Sequence, residues 1–132
     1  MTVRVLVVDD EPDVEALFRQ QFRREARQGL YALDFALSAA GALEKLEGGV
    51  GGNIILLVSD INMPGMSGMQ LLSVVKERRP DLPVFMISAY GDANTIAVAM
   101  ERGADGFLAK PVDFIQLKQN IVAVMAHAKG NG

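Results

Sequence analysis

The chain has 132 residues, half of them hydrophobic and 22% charged, with a net charge of −3 and no cysteine. That length suits one domain with one core. The missing cysteine excludes disulfides and thiolate metal sites, and the small negative charge gives no general pull toward nucleic acid or anionic membrane. No apolar run approaches the roughly 18 residues that span a bilayer, and the start lacks the basic and apolar regions of a signal peptide. The expectation is a cytoplasmic protein with one domain over residues 1–128 and a flexible tail or linker start at 129–132.

Val3–Val8 is almost entirely aliphatic, as expected of a strand buried on both faces. Pro12 falls at a first helical position, with Asp13 and Glu15 in the first turn. Val14, Leu17, Phe18 and Phe22 recur at helical spacing, and Gly29 closes that helix. Tyr31, Leu33, Phe35 and Leu37 alternate with smaller or polar residues, which predicts a more exposed second strand. Ser38 is placed to cap a short helix carrying Leu43 and Leu46. The run from Gly48 to Gly52 reads as a flexible loop.

Ile54–Val58 reads as the third strand, ended by Ser59-Asp60, and Met63 to Gly68 is turn chemistry. A helix bearing Leu71, Leu72 and Val75 stops before Pro80. Val84–Ile87 is a fourth strand. Asp92 can cap a helix through about Arg102, and Gly103 closes it. Gly106–Ala109 is a short fifth strand, and Pro111 precedes a helix with Phe114, Leu117, Ile121, Val124 and Met125 on one face. Alternating strands and helices predict an α/β fold: a (βα)5, flavodoxin-like three-layer sandwich with a parallel sheet in the order 2-1-3-4-5.

In such sheets, sites form beyond the carboxyl ends of the strands. Those ends carry Asp9-Asp10-Glu11, Asp60 followed by Asn62, Ser88, and Lys110-Pro111. Carboxylates brought together repel one another. A hard divalent cation such as Mg2+, which takes oxygen ligands, relieves that repulsion. Asp60 then suits a nucleophile forming an aspartyl phosphate. Lys110 and Ser88 would neutralise the phosphoryl oxygens, in a reaction that is mostly positioning and electrostatics.

The same residues resemble the response-regulator receiver family of two-component signalling. Val5 to Pro12 resembles its opening signature, and Ser59 to Gly68 its phosphoacceptor strand and loop. Ile87-Ser88-Ala89-Tyr90 resembles its switch-hydroxyl segment, and Gly103 to Pro111 the segment with the switch aromatic and lysine. The resemblance runs from Val5 to the last helix. It implies that Asp60 is phosphorylated by a sensor histidine kinase or phosphotransfer protein. Asp10 would bind Mg2+ directly, Asp9 would help through water, and Asn62 would offer its backbone carbonyl. Ser88 would bond the phosphoryl group while Phe107 swings inward, and Lys110-Pro111 would be cis. The downstream effector would read the face of the fourth helix, fifth strand and fifth helix, a face that also allows a homodimer. Asn62 and Tyr90 would tune water access to the phosphoryl bond.

Each residue also has a plainer reading. Acids before a helix favour its positive end, and Asp60 and Ser88 are ordinary turn residues. Lys110 alone would be a solvated charge, and Phe107 plain core. His127 reads as a surface histidine rather than a phosphohistidine. At the level of function, two alternatives stand beside the switch. One is a receiver-like binding module that ignores phosphate. The other is a phosphohydrolase of the haloacid-dehalogenase type, a family that carries an aspartate where this chain has Asn62.

Overall fold

A computed structural model of the chain describes residues 2–48, 53–89 and 91–130, with the side chains of 127–130 left out. Residues 49–52, Tyr90, the His127 side chain and residues 131–132 lie outside the described residues, and so do the readings made of them. The elements run β1 Val3–Val8, α1 Asp13–Gln21, α2 Arg23–Arg27, β2 Tyr31–Ala36, α3 Ala39–Glu47, β3 Leu56–Asp60, α4 Gly68–Arg78, β4 Val84–Ser88, α5 Ala93–Glu101, β5 Gly106–Ala109 and α6 Phe114–Gly130. All strand pairs are parallel, and the sheet order is β2-β1-β3-β4-β5. This is the flavodoxin-like sandwich expected.

The central strands are buried on both faces because consecutive side chains point to opposite layers. Leu6, Val8, Leu57, Val84 and Met86 face a core built with Ala39 and Ala42 of α3, Leu71, Leu72 and Val75 of α4, and Ala99 of α5. Val5, Val7, Leu56, Val58, Phe85 and Ile87 face the opposite core, with Phe18 and Phe22 from the α1–α2 segment and Leu117 and Ile121 from α6. Each fully buried Leu, Ile or Phe contributes about 1.5–3 kcal/mol relative to exposure. The second core is aromatic. Phe114 meets Phe18 edge-on at 5.0 Å, and Tyr31 meets Phe22 edge-on at 5.1 Å.

Five local features differ from the sequence reading. The first helical stretch is two helices, with Phe22 at φ −103° and ψ 9° between them, where its ring is held in the aromatic core. Pro12 caps α1 instead of occupying its first turn. The third strand begins at Leu56, not Ile54, and includes Asp60. Ile54 is wholly buried and Ile55 N–H already bonds the Arg4 carbonyl, but the regular ladder starts two residues later. Leu37, the last residue of the alternating pattern, lies past the end of β2 and is 57% exposed. α6 continues to Gly130, past residue 128.

Two caps follow the sequence reading. Ser38 Oγ accepts from Gly41 N–H, and Asp92 Oδ1 from Thr95 N–H. Ser67 and Gln70 form a reciprocal capping box at the start of α4. Gly65, at φ +76°, turns the chain between β3 and α4 through a region that favours glycine.

Candidate functional site

The carboxyl ends of β1, β3 and β5 converge on one rim. Asp9 follows β1, and its N–H bonds the Ala36 carbonyl at 3.1 Å. Asp60 is the last residue of β3, paired in register with Ile87 of β4. Lys110 follows β5, and its N–H bonds the Ser88 carbonyl at 3.0 Å. These backbone bonds fix where the side chains start. Lys110 Nζ then lies 3.1 Å from Asp9 Oδ2 and 3.2 Å from Asp60 Oδ2, bridging two buried carboxylates. The Lys110-Pro111 bond is cis.

Asp10 completes the acidic group. One carboxylate oxygen from each of Asp9, Asp10 and Asp60 lies within 4.8 Å of the others. Asp9 Oδ1 also accepts from Glu11 N–H at 3.0 Å, and Asp60 Oδ1 from Asn62 N–H at 3.4 Å. The latter bond is long and contributes little directional strength. Three hard oxygen donors, two of them buried, suit a divalent cation of the Mg2+ or Ca2+ kind.

Burial and crowding of the acids set the electrostatics of the rim. Burial, and then the negative charge of Asp9, push the Asp60 carboxyl above the usual carboxylate range, against the opposing pull of Lys110 and the Asn62 N–H. Burial also works against the Lys110 charge, but the hydrogen bonds and charges of Asp9 and Asp60 outweigh it and hold the ammonium more basic than usual. A carboxyl raised on folding binds its proton more tightly in the native state. Its contribution to stability is therefore full at low pH and lost as pH rises from the ordinary carboxylate range through the raised value. In metal-free buffer at pH 7, Asp60→Asn should therefore melt above the parent. Acidification should narrow that gap, as should Mg2+ added to the parent. Melting curves at several pH values, with and without MgCl2, check this, and an Asp60→Asn protein that melts lower at neutral pH contradicts it.

The remaining residues singled out in the sequence are close by but differently placed. Ser88 is fully buried at the end of β4. It lines a recess of about 270 Å³ with Ile61, Asn62, Met69, Asn94, Thr95 and Val98. Asn62 is exposed. Phe107 is outside the acidic cluster. It pairs in register with Met86 and packs, partly buried, against the α3–α4–α5 core.

Sequence reasoning missed two features. Asp9 was read only as a metal helper, yet it shares Lys110 with Asp60. Nothing in the local sequence announces that pairing across 101 positions. Gly68 falls in turn chemistry by sequence, yet it sits against the backbone of Asp60. A Cβ there would lie 2.0 Å from the Asp60 carbonyl oxygen and 2.7 Å from Ile61 Cα. Its N–H bonds the Ile61 carbonyl at 2.8 Å, drawing the start of α4 onto the end of β3.

A five-stranded parallel sandwich with acids and a lysine gathered at one rim defines a small signalling domain. The model of the response regulator receiver domain matches residues 5–122, and the chain belongs to that family. The chain is 34% identical over 122 residues to the response regulator protein PilR of Pseudomonas aeruginosa, covering 92% of this chain and 26% of that protein. It is 33% identical over 123 residues to the DNA-binding transcriptional regulator NtrC of Escherichia coli K12, covering 93% and 25%. The chain thus spans about a quarter of the length of these relatives. Among solved structures, a CheY-like receiver domain from Methanospirillum hungatei is 26% identical, with a TM-score of 0.87 and all of both chains covered. A CheX–CheY–BeF3–Mg2+ complex from Borrelia burgdorferi includes a chain 31% identical, with a TM-score of 0.83 and coverage of 93% and 89%. Among the described residues, no helix is long and apolar enough to cross a membrane.

Proposed function

We propose that this receiver domain is a phosphorylation-gated switch in which Asp60 accepts a phosphoryl group from the phosphohistidine of a sensor kinase or phosphotransfer protein. The observation that carries this is Asp60 at the mouth of β3, buried, with Lys110 Nζ at 3.2 Å and two further carboxylates within 4.8 Å. The related CheY chain bound with BeF3 and Mg2+ supports the same chemistry here.

An Asp60 carboxylate oxygen forms the new O–P bond as the N–P bond of the donor breaks. The departing imidazole nitrogen keeps the electron pair and takes up a proton. Mg2+, held by Asp10, Asp60 and the Asn62 carbonyl with Asp9 assisting through water, would supply positive charge to the phosphoryl oxygens. Lys110 favours the ionised form of Asp60 and offers its ammonium to the same oxygens. Ser88 donates its hydroxyl to the phosphoryl group, and Phe107 moves with it. In this way the domain promotes its own phosphorylation and hydrolysis, and acts on no separate substrate. The changed face comprises α5, β5 and α6, which a downstream effector, or a second copy, would read in the cytoplasm. Added charge at a packed rim biases a two-state element of this kind.

Intact mass spectrometry after incubation with acetyl phosphate and MgCl2 tests this. The parent should gain about 80 Da, one phosphoryl group. Asp60→Asn should gain nothing, and EDTA should abolish the gain in the parent. No gain in the parent, or an equal gain in Asp60→Asn, would refute the reading.

A further inference from the structure

Gly91 lies three residues past Ser88, in the connection that leads to Asp92, the cap of α5. A Cβ at Gly91 would meet Phe107 Cε1 at 3.2 Å and Cζ at 3.9 Å, and no other described atom within 4 Å apart from its chain neighbours. The nearer distance is short of the 3.5–4.0 Å optimum for two carbons, so the ring edge must give way by a few tenths of an ångström.

We infer that Gly91 is a positioning residue for Phe107: its bare Cα leaves the slot in which the edge of the ring rests. This deepens the switch reading above and rests on it. Ser88 and Gly91 are on one short connection, and the Phe107 ring touches the far end of it. Any movement of that connection toward Asp60 changes the room beside the ring. A ring that moves changes the room for the connection in turn, since coupling between two sites is reciprocal. A side chain at position 91 would compete with the ring for the slot and shift the balance between the two packings. The ring is free to respond because it is only partly buried.

Fluorine NMR of protein containing 4-fluorophenylalanine tests the placement. The chain has six phenylalanines. Phe18, Phe22, Phe35, Phe85 and Phe114 line the opposite core, so Phe107 alone packs against the α3–α4–α5 side. The signal missing from Phe107→Leu assigns the ring. In Gly91→Ala that signal should move while the other five hold their positions. The rate of labelling by acetyl phosphate should change at least about fivefold, the low end for coupled sites. In a Phe107→Leu background the same substitution should change the rate less than about twofold. An unmoved Phe107 signal overturns the proposal. So does a rate change of equal size in the leucine background. If the parent takes no label at all, the phosphorylation reading fails, while the fluorine signal still decides whether Gly91 positions the ring.

Discussion

Replacing Lys110 with alanine should slow labelling of Asp60 by acetyl phosphate about a hundredfold while tightening Mg2+ binding. The first effect follows from the loss of a preorganised cation where negative charge accumulates, which typically costs a factor of about 10²–10³. The second follows from the geometry. Lys110 Nζ stands 3.1 and 3.2 Å from two members of the acidic group, so it competes with any cation for the same field. Its removal leaves Asp9 and Asp60, both nearly dry, with one compensating charge fewer. Labelling kinetics by mass spectrometry and Mg2+ titration by calorimetry read the two effects separately. A misfolded variant would lose both, whereas the assigned role requires opposite signs. Lys110→Ala with labelling within threefold of the parent would remove the lysine from the mechanism.

Gly68→Ala should lower the melting temperature by roughly 10 °C, for a cost of about 3 kcal/mol. The glycine has an ordinary φ, so strain at its own backbone is not the cause. The cause is a Cβ 2.0 Å from a carbonyl oxygen and 2.7 Å from a Cα, both main chain, neither able to swing aside as a side chain would. Relief requires α4 and the end of β3 to separate, which breaks the Gly68 to Ile61 bond and displaces Asp60. Thermal unfolding by circular dichroism measures the loss. A variant melting within 2 °C of the parent would show that the β3–α4 junction yields more easily than its packing implies.

Most of the architecture was legible because it follows from one-dimensional patterns. Short aliphatic runs bounded by turn residues marked the strands, and Ser38, Asp92 and Gly103 marked helix ends where the caps and the left-handed turn are found. The boundary of β3 was not legible, since Ile54 and Ile55 announce burial but not where the ladder begins. The break at Phe22 carries no glycine or proline to signal it; tertiary packing of the ring decides it. At the site, the gathering of Asp9, Asp10, Asp60 and Lys110 followed from strand ends and sheet order. The division of Lys110 between Asp9 and Asp60 did not, because it depends on distances across the rim. Gly68 and Gly91 were least visible of all. Their contribution is a missing atom, and the nearest neighbour that needs the space is 8 residues away for one and 16 for the other.

The two cores flanking the sheet are chemically unlike, and this gives the molecule a stiff side and a compliant side. Interlocked rings under α1 and α6 hold one another edge to face, an arrangement with few alternatives of equal energy. The layer that Phe107 touches is made largely of alanines, aliphatics and the thioethers of Met63, Met69 and Met86, and unbranched thioethers refill an altered space at little cost. Under the proposed switch, a rearrangement begun at the rim would meet the least resistance in the yielding layer.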